Sequence, residues 1–171
     1  MNEPEYIKTM RLADKSDCGR YRYRLDRHIN AGHLRVAFIG INPSVADAEQ
    51  DDQTVRKWNG FAERLGVDRY MVGNIFPFIE TDVKNVKNHE IISEATFQNV
   101  MVLGEIIDEA HIIIPCWGSR GKIPKAYRFA VDDMERRLRE SFKPLMCWGK
   151  TQSGDPKHPL MLGYDTPLVK Y

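Results

Sequence analysis

Asn42, Asn74 and His158 are the side chains whose placement could do chemistry. Asn42 ends an apolar run, Val36 to Ile41, within Gly40-Ile-Asn-Pro-Ser44. Asn74 lies inside a second apolar run, Tyr70 to Phe78, and His158 falls in Gly154-Asp-Pro-Lys-His-Pro159. A carboxamide is neutral and cannot be a strong general base. Its two donors and its acceptor can still orient a water or read the edge of a nucleobase. A histidine at the edge of a pocket can donate to negative charge that develops during a reaction. Asp47, Asp51 and Asp52 follow Asn42 in an acidic loop. Asp51 and Asp52 are most simply helix N-caps. Service as a base, or binding of Mg²⁺, is the chemical alternative for these carboxylates.

The elements that must position these groups alternate along the chain. Leu34 to Ile41 reads as a buried parallel strand stopped by Pro43. Tyr70 to Phe78, His111 to Trp117 and Leu145 to Trp148 read as three further strands. Helical spacing runs from Asp51 or Asp52 to about Leu65, where Gly66 ends it, then over Glu90–Glu109 and from Pro124 to about Ser141. The alternation predicts a three-layer α/β/α domain with a four-stranded, mainly parallel central sheet. In open sheets of that kind, ligands bind outside the carboxyl ends of the strands. Those ends would gather Asn42–Ser44 with Asp51 and Asp52, Asn74–Phe78, Trp117–Arg120, and Trp148–Lys150 leading to His158. Aromatic planes beside amide edges suit a nucleobase better than a sugar or a metal ion. Trp117 and Trp148, each before a glycine, fit a core more readily than a stacking platform.

At 171 residues the chain is long enough for one domain with its own core, spanning 1–171. Residues 1–19 are polar without a clear period and are expected to be flexible. A formal net charge of +1 does not announce nucleic-acid binding, so any such surface must be a local patch. Arg20-Tyr-Arg-Tyr-Arg24 reads as the solvated face of an edge strand, and Ser119–Arg128 is a basic segment after a strand. The three cysteines, Cys18, Cys116 and Cys147, make no CxxC pair, and the latter two read as buried reduced thiols. No zinc or iron–sulfur spacing is present. The first residues lack a basic-then-apolar leader pattern, and no run approaches the roughly 20 apolar residues that span a bilayer. A cytoplasmic protein without cofactor or metal is expected.

Two family resemblances follow from these motifs. Gly40-Ile-Asn-Pro-Ser44 after a hydrophobic strand resembles the first motif of the uracil-DNA glycosylase superfamily, closest to the Gly-Ile-Asn-Pro-Gly of its mismatch-specific branch. Lys157-His-Pro-Leu-Met-Leu162 resembles that superfamily's His-Pro-Ser-Pro-Leu type loop. From Gly19 to Leu168 the chain is more closely similar to the domain of unknown function 1643 family, found in bacteria and their phages. The similarity rests on Asn42-Pro-Ser-Val-Ala-Asp47, Asp51-Asp-Gln-Thr54, Asn74-Ile-Phe76, Trp117-Gly118 and Gly154-Asp-Pro-Lys-His-Pro159. Two departures from the glycosylase pattern stand out. Ser44 replaces a glycine, and the second motif lacks the serine and second proline.

The glycosylase resemblance implies roles. Asn42 would position the attacking water and His158 would stabilise the departing base. Asp51 and Asp52 are catalytic candidates from the acidic loop rather than from that resemblance, since carboxylates beside a DNA groove would repel phosphate unless one serves as a base or they bind Mg²⁺. Asn74, Phe76, Phe78, Ser44 and Trp117 would surround the base. Arg120, Lys122, Lys150 and Lys157 would contact DNA, with Leu160, Met161 or Leu162 as a wedge. The expected function is a metal-independent N-glycosidic hydrolase acting on a modified or mismatched base, with DNA or a nucleotide as partner. The alternatives are a non-catalytic nucleotide- or DNA-binding module with the same pocket, and a metal-dependent enzyme using Asp47, Asp51 and Asp52.

Overall fold

Every position from Val36 to Gly40 is buried, and a strand without an exposed face belongs in the middle of a sheet. In the computed structural model, which describes residues 10–171, this strand is β3 (Arg35–Gly40). It pairs in parallel with β4 (Arg69–Asn74) on one side and β5 (Ile112–Pro115) on the other. The strand β2 (Arg22–His28) adds antiparallel to β4, and β1 (Arg11–Lys15) adds antiparallel to β2. The fold is therefore mixed α/β around a five-stranded mixed sheet of order β1-β2-β4-β3-β5.

This differs from the four-stranded, mainly parallel expectation in three places. Residues 11–15, within the stretch expected to be flexible, form the true edge strand. Residues 1–9 lie outside the described residues. The Tyr–Arg alternation, expected at a solvated edge, becomes an inner strand in which Arg22, Asp26 and Arg27 are buried. The last expected strand shrinks to β6 (Met146–Cys147). It touches β5 through one parallel bridge, Ile113 to Leu145, and pairs instead with β7 (Val169–Lys170). Pro144 on one side and Gly149, at φ +86°, on the other leave little extended chain between them.

The helix α1 (Gln53–Arg64) starts at the N-cap Asp52, whose carboxylate accepts from the Val55 amide at 2.8 Å. The helix α2 (Glu94–Glu109) starts four residues later than the periodicity suggests, because Ser93 caps it. The helix α3 (Phe129–Glu140) follows a short 3₁₀ turn, Lys125–Tyr127, that takes up the residues after Pro124. Alternation along the strands sends Val36, Phe38, Tyr70 and Ile114 to one face, where Val55, Trp58 and Phe61 of α1 cover them. Ala37, Ile39, Met71 and Ile113 face the other way, under Leu103 and Ile106 of α2 and Val131 and Leu138 of α3. No helix among the described residues is long and apolar enough to cross a membrane.

This winding has one consequence for function. From β3 the chain passes through α1 to β4 on one side, then through α2 to β5 on the other side of β3. The direction of winding reverses at β3, so the loops after β3 and β5 separate and open a crevice between them.

Ile106 is fully buried between α2 and the sheet. Ile106→Ala should cost about 2–5 kcal/mol, read as a lower urea midpoint with an unchanged slope. Phe97→Ala, on the 67% exposed outer side of the same helix, should stay within about 0.5 kcal/mol.

Candidate functional site

The loops after β3 and β4 are stitched together before they reach the crevice. The amides of Ile75 and Phe76 donate to the Gly40 and Ile41 carbonyls at 3.0 and 2.8 Å. The Glu80 amide donates to the Pro43 carbonyl at 3.0 Å. Asn42 locks the same junction, because its Nδ2 donates to the Glu80 carbonyl at 2.6 Å and to the Pro43 carbonyl at 3.1 Å. Both donors of Asn42 are thus used structurally, and Oδ1 is the atom left to act on a ligand or water.

Beyond β5 the backbone turns through Gly118 at φ +77°, and its amide donates to the Pro156 carbonyl at 3.0 Å. That bond draws the His158 segment onto the end of β5. A Cβ on Gly118 would lie 3.3 Å from the Cβ of His158, so the approach is close.

A cleft of about 580 Å³ lies over these strand ends. Asn42, Ser44 and Asp52 line one side. Asn74, Trp117, Lys122, His158 and Leu160 contribute to the remainder. So the amides, the histidine and one tryptophan singled out from the sequence converge. The other expected site residues lie outside this lining. Asp51 bonds to Arg27 at 2.7 Å, to Arg11, and to Asn59 Nδ2 at 2.9 Å, a network that ties β1 and β2 to α1. Phe76 and Phe78 are core residues, and Phe78 stacks on His89 rather than facing a ligand. Arg120 is held by Asp155 at 2.6 Å, Glu135 at 3.1 Å and Asp132, which leaves its charge compensated. Lys150 sits over the Tyr171 ring at 4.5 Å, Lys157 is exposed near Gly149, and Met161 is exposed beside Leu160.

The acidic loop diverges. Asp47 accepts from the Gln50 and Glu49 amides, which hold its carboxyl below the usual range. Asp52 caps α1 and Asp51 faces Arg27. Among the described residues, no group of three or more His, Cys, Asp or Glu stands where it could hold a metal ion.

Two further lining residues were hidden in the sequence. Arg22 looked like part of a solvated face, yet it is 2% exposed and reaches the cleft. Glu80 also lines the cleft, and its Oε1 lies 2.7 Å from His89 Nε2. Its only sequence signal is a carboxylate just after an apolar strand end.

The donors of this pocket are conspicuous. Asn74 Nδ2 and Trp117 Nε1 are buried without a partner, and each residue lines the cleft. Asn74 crowds the end of β3, since a Cβ on Gly40 would meet its Oδ1 at 2.7 Å. His158 stands at the exposed rim. Its Nδ1 accepts from the Leu160 amide at 3.3 Å, so the neutral ring carries its proton on Nε2. Desolvation by the surrounding wall, with the Lys122 ammonium second, lowers its pKa below the ordinary 6.5, and Asp52 opposes that shift. The ring is therefore neutral near pH 7 and a donor through Nε2.

The chain matches, over residues 22–160, a family described as Protein of unknown function (DUF1643), and it belongs to that family. No curated protein and no solved structure matches it. The matched span contains Arg22, Asn42, Asn74, Trp117 and His158.

The carboxylates of the acidic loop should separate by their surroundings. Asp51→Ala leaves Arg27, 3% exposed, as an unpaired buried charge and should cost about 3–5 kcal/mol in urea unfolding. Asp52→Ala removes one helix cap and should cost about 1 kcal/mol.

Proposed function

We propose that the cleft binds the base of a nucleotide and hydrolyses the N-glycosidic bond that joins this base to its sugar. The observation that carries the reading is that Asn74 Nδ2 and Trp117 Nε1, buried donors with no partner among the described residues, belong to residues that line one pocket. A buried donor without an acceptor costs about 1–3 kcal/mol. A flat ligand edged with carbonyl oxygens or ring nitrogens would satisfy both, and a nucleobase has that shape.

The chemistry can be assigned to groups that already line the pocket. Asn42 Oδ1 accepts a hydrogen bond from a water and holds it beside the sugar. Asn42 cannot take a proton, but the carboxylate of Glu80, whose backbone carbonyl Asn42 holds and which lines the same cleft, can. His89 fixes that carboxylate at 2.7 Å, and its own ring is stacked on Phe78 at 4.4 Å. The water oxygen bonds to C1′ while the C1′–N bond breaks and its electrons pass to the base. One water proton goes to Glu80. His158 Nε2–H donates to the oxygen on which the base carries its negative charge, and a solvent proton completes the free base. The uracil-DNA glycosylase resemblance of the Asn42 and His158 motifs supports the same assignment. The neutralised state of Arg120 favours a substrate held by the cleft itself over one held along a broad basic track.

Incubation with oligonucleotides containing uracil, mismatched or hypermodified bases should give an abasic product cleaved by alkali. Asn42→Ala should remove turnover and keep base binding. His158→Ala should lower turnover about 10²–10³-fold. Because desolvation lowers its pKa, turnover that depends on the neutral ring should fall at a more acidic pH than an unperturbed histidine would give. Binding without product from any of these substrates would replace the enzyme with a binding module.

A further inference from the structure

Arg22 is a buried cation on the lining of the cleft. Its side chain is buried, and among the described residues its one side-chain hydrogen bond runs from Nη1 to the Ala46 carbonyl at 2.6 Å, while its Nε has no partner there. No carboxylate among the described residues comes within ion-pair distance of it, although other buried cations of the sheet are paired. Arg27 has Asp51, and Arg24 has Asp26 and Glu109. Asp52 and Asp47 act on it from a distance, but Asp52 caps Val55 and Asp47 accepts from the Glu49 and Gln50 amides. Of the other acids that line the cleft, Asp82 accepts from the Lys84 amide at 2.9 Å and Glu80 holds His89.

The cleft also receives the start of α1. Gln53 and Thr54, its first two residues, line the cleft, and no hydrogen bond among the described residues engages their amides. The Val55 amide is satisfied by Asp52, which leaves the Gln53 and Thr54 amides as free donors on residues that line the pocket. A helix N-terminus favours anions through these amides and through the helix dipole. Lys122 adds a second positive side chain to the same cleft.

We propose that Arg22, with the free amides of Gln53 and Thr54, forms an anion subsite that takes a phosphate group of the nucleotide whose base occupies the cleft. The assignment deepens the nucleobase reading and rests on it for the identity of the ligand. The chemistry is that of a sugar phosphate, from a free nucleotide or from a nucleotide within a strand. A phosphate supplies acceptors for Nε and for the two amides at once, which a neutral nucleoside cannot do. The electrostatics agree. Burial pushes the Arg22 pKa down to about 10, which marks a charge that the protein does not fully compensate and an anion would.

Calorimetry on the full chain with four probes tests this. The probes are inorganic phosphate, deoxyuridine, deoxyuridine 5′-monophosphate and a short uracil-containing single strand. The phosphorylated probes should bind about tenfold tighter than deoxyuridine. Arg22→Gln should erase that difference and leave the deoxyuridine affinity unchanged. Gln53→Pro removes one amide at a helix position that tolerates proline, so it keeps the test open should Arg22→Gln not fold, and it should reduce the difference several-fold. Whichever of the monophosphate and the strand binds tighter identifies the source of the phosphate. Phosphate binding that depends on Arg22 without any deoxyuridine binding would keep the subsite and sink the uracil-type base reading. Equal binding of deoxyuridine and its monophosphate would overturn the subsite. An equal loss of both in Arg22→Gln would do the same, by reducing Arg22 to a structural role.

Discussion

The close approach of β3 and β4 at their carboxyl ends is the constraint on which the site depends. Gly40 stands opposite Asn74 in the parallel register, and the Asn74 side chain occupies the space where a Cβ on residue 40 would be. A glycine there lets a carboxamide lie across the end of the central strand. The backbone bonds from Ile75 and Phe76 to Gly40 and Ile41 then hold the two loops as one wall. Asn42 reinforces the same wall by spending both donors on it. The pocket is thus built from strand ends and short stitched loops, the kind of support that fixes donors before a ligand arrives.

Charge is handled differently on the two sides of β2. Arg24, Asp26, Arg69 and Glu109 form one ion-pair network, and Arg11, Arg27, Asp51 and Asn59 form another. Both join strands to helices, and in both the buried cations meet carboxylates. Breaking either network leaves a buried charge behind, so these groups stabilise the fold without being available for chemistry. Arg22 belongs to the same strand, yet among the described residues its side chain meets only a carbonyl oxygen. The contrast between paired and unpaired arginines on one strand separates those tied into the fold from the one that lines the cleft.

The strand-end logic was legible in the sequence. The apolar runs before Asn42 and around Asn74 announce central strands, and Pro43 and Pro77 announce where the chain leaves the sheet. A cap for α1 at Asp51 or Asp52 was equally clear, and the structure selects Asp52. Other features were masked by physical effects that a local pattern does not carry. The Tyr–Arg alternation of residues 20–24 resembles a solvated face, and only the long-range pairing of β1 beyond β2 buries it. Phe76 and Phe78 follow Asn74 so closely that they looked like part of the site, but the backbone bend after β4 turns them into the core under Val86 and His89. Arg120 was read as free charge because Asp132, Glu135 and Asp155 come from distant segments. Glu80 gave almost no signal, because its importance comes from contact with His89 and Asn42 rather than from its neighbours in the chain.

The central claim is that buried donors of Asn74 and Trp117 await the acceptors of a base. Amide-resolved NMR on nitrogen-15-labelled protein tests it most directly. The chain has three tryptophans, hence three indole N–H signals. Trp148 is as buried as Trp117 and equally unpartnered, but it does not line the cleft. Titration with deoxyuridine and the common nucleosides should shift the Trp117 indole and the Asn74 side-chain amide for at least one base and leave the Trp148 indole in place. Unchanged Trp117 and Asn74 signals with every nucleoside, or shifts of Trp148 as large as theirs, would contradict the account.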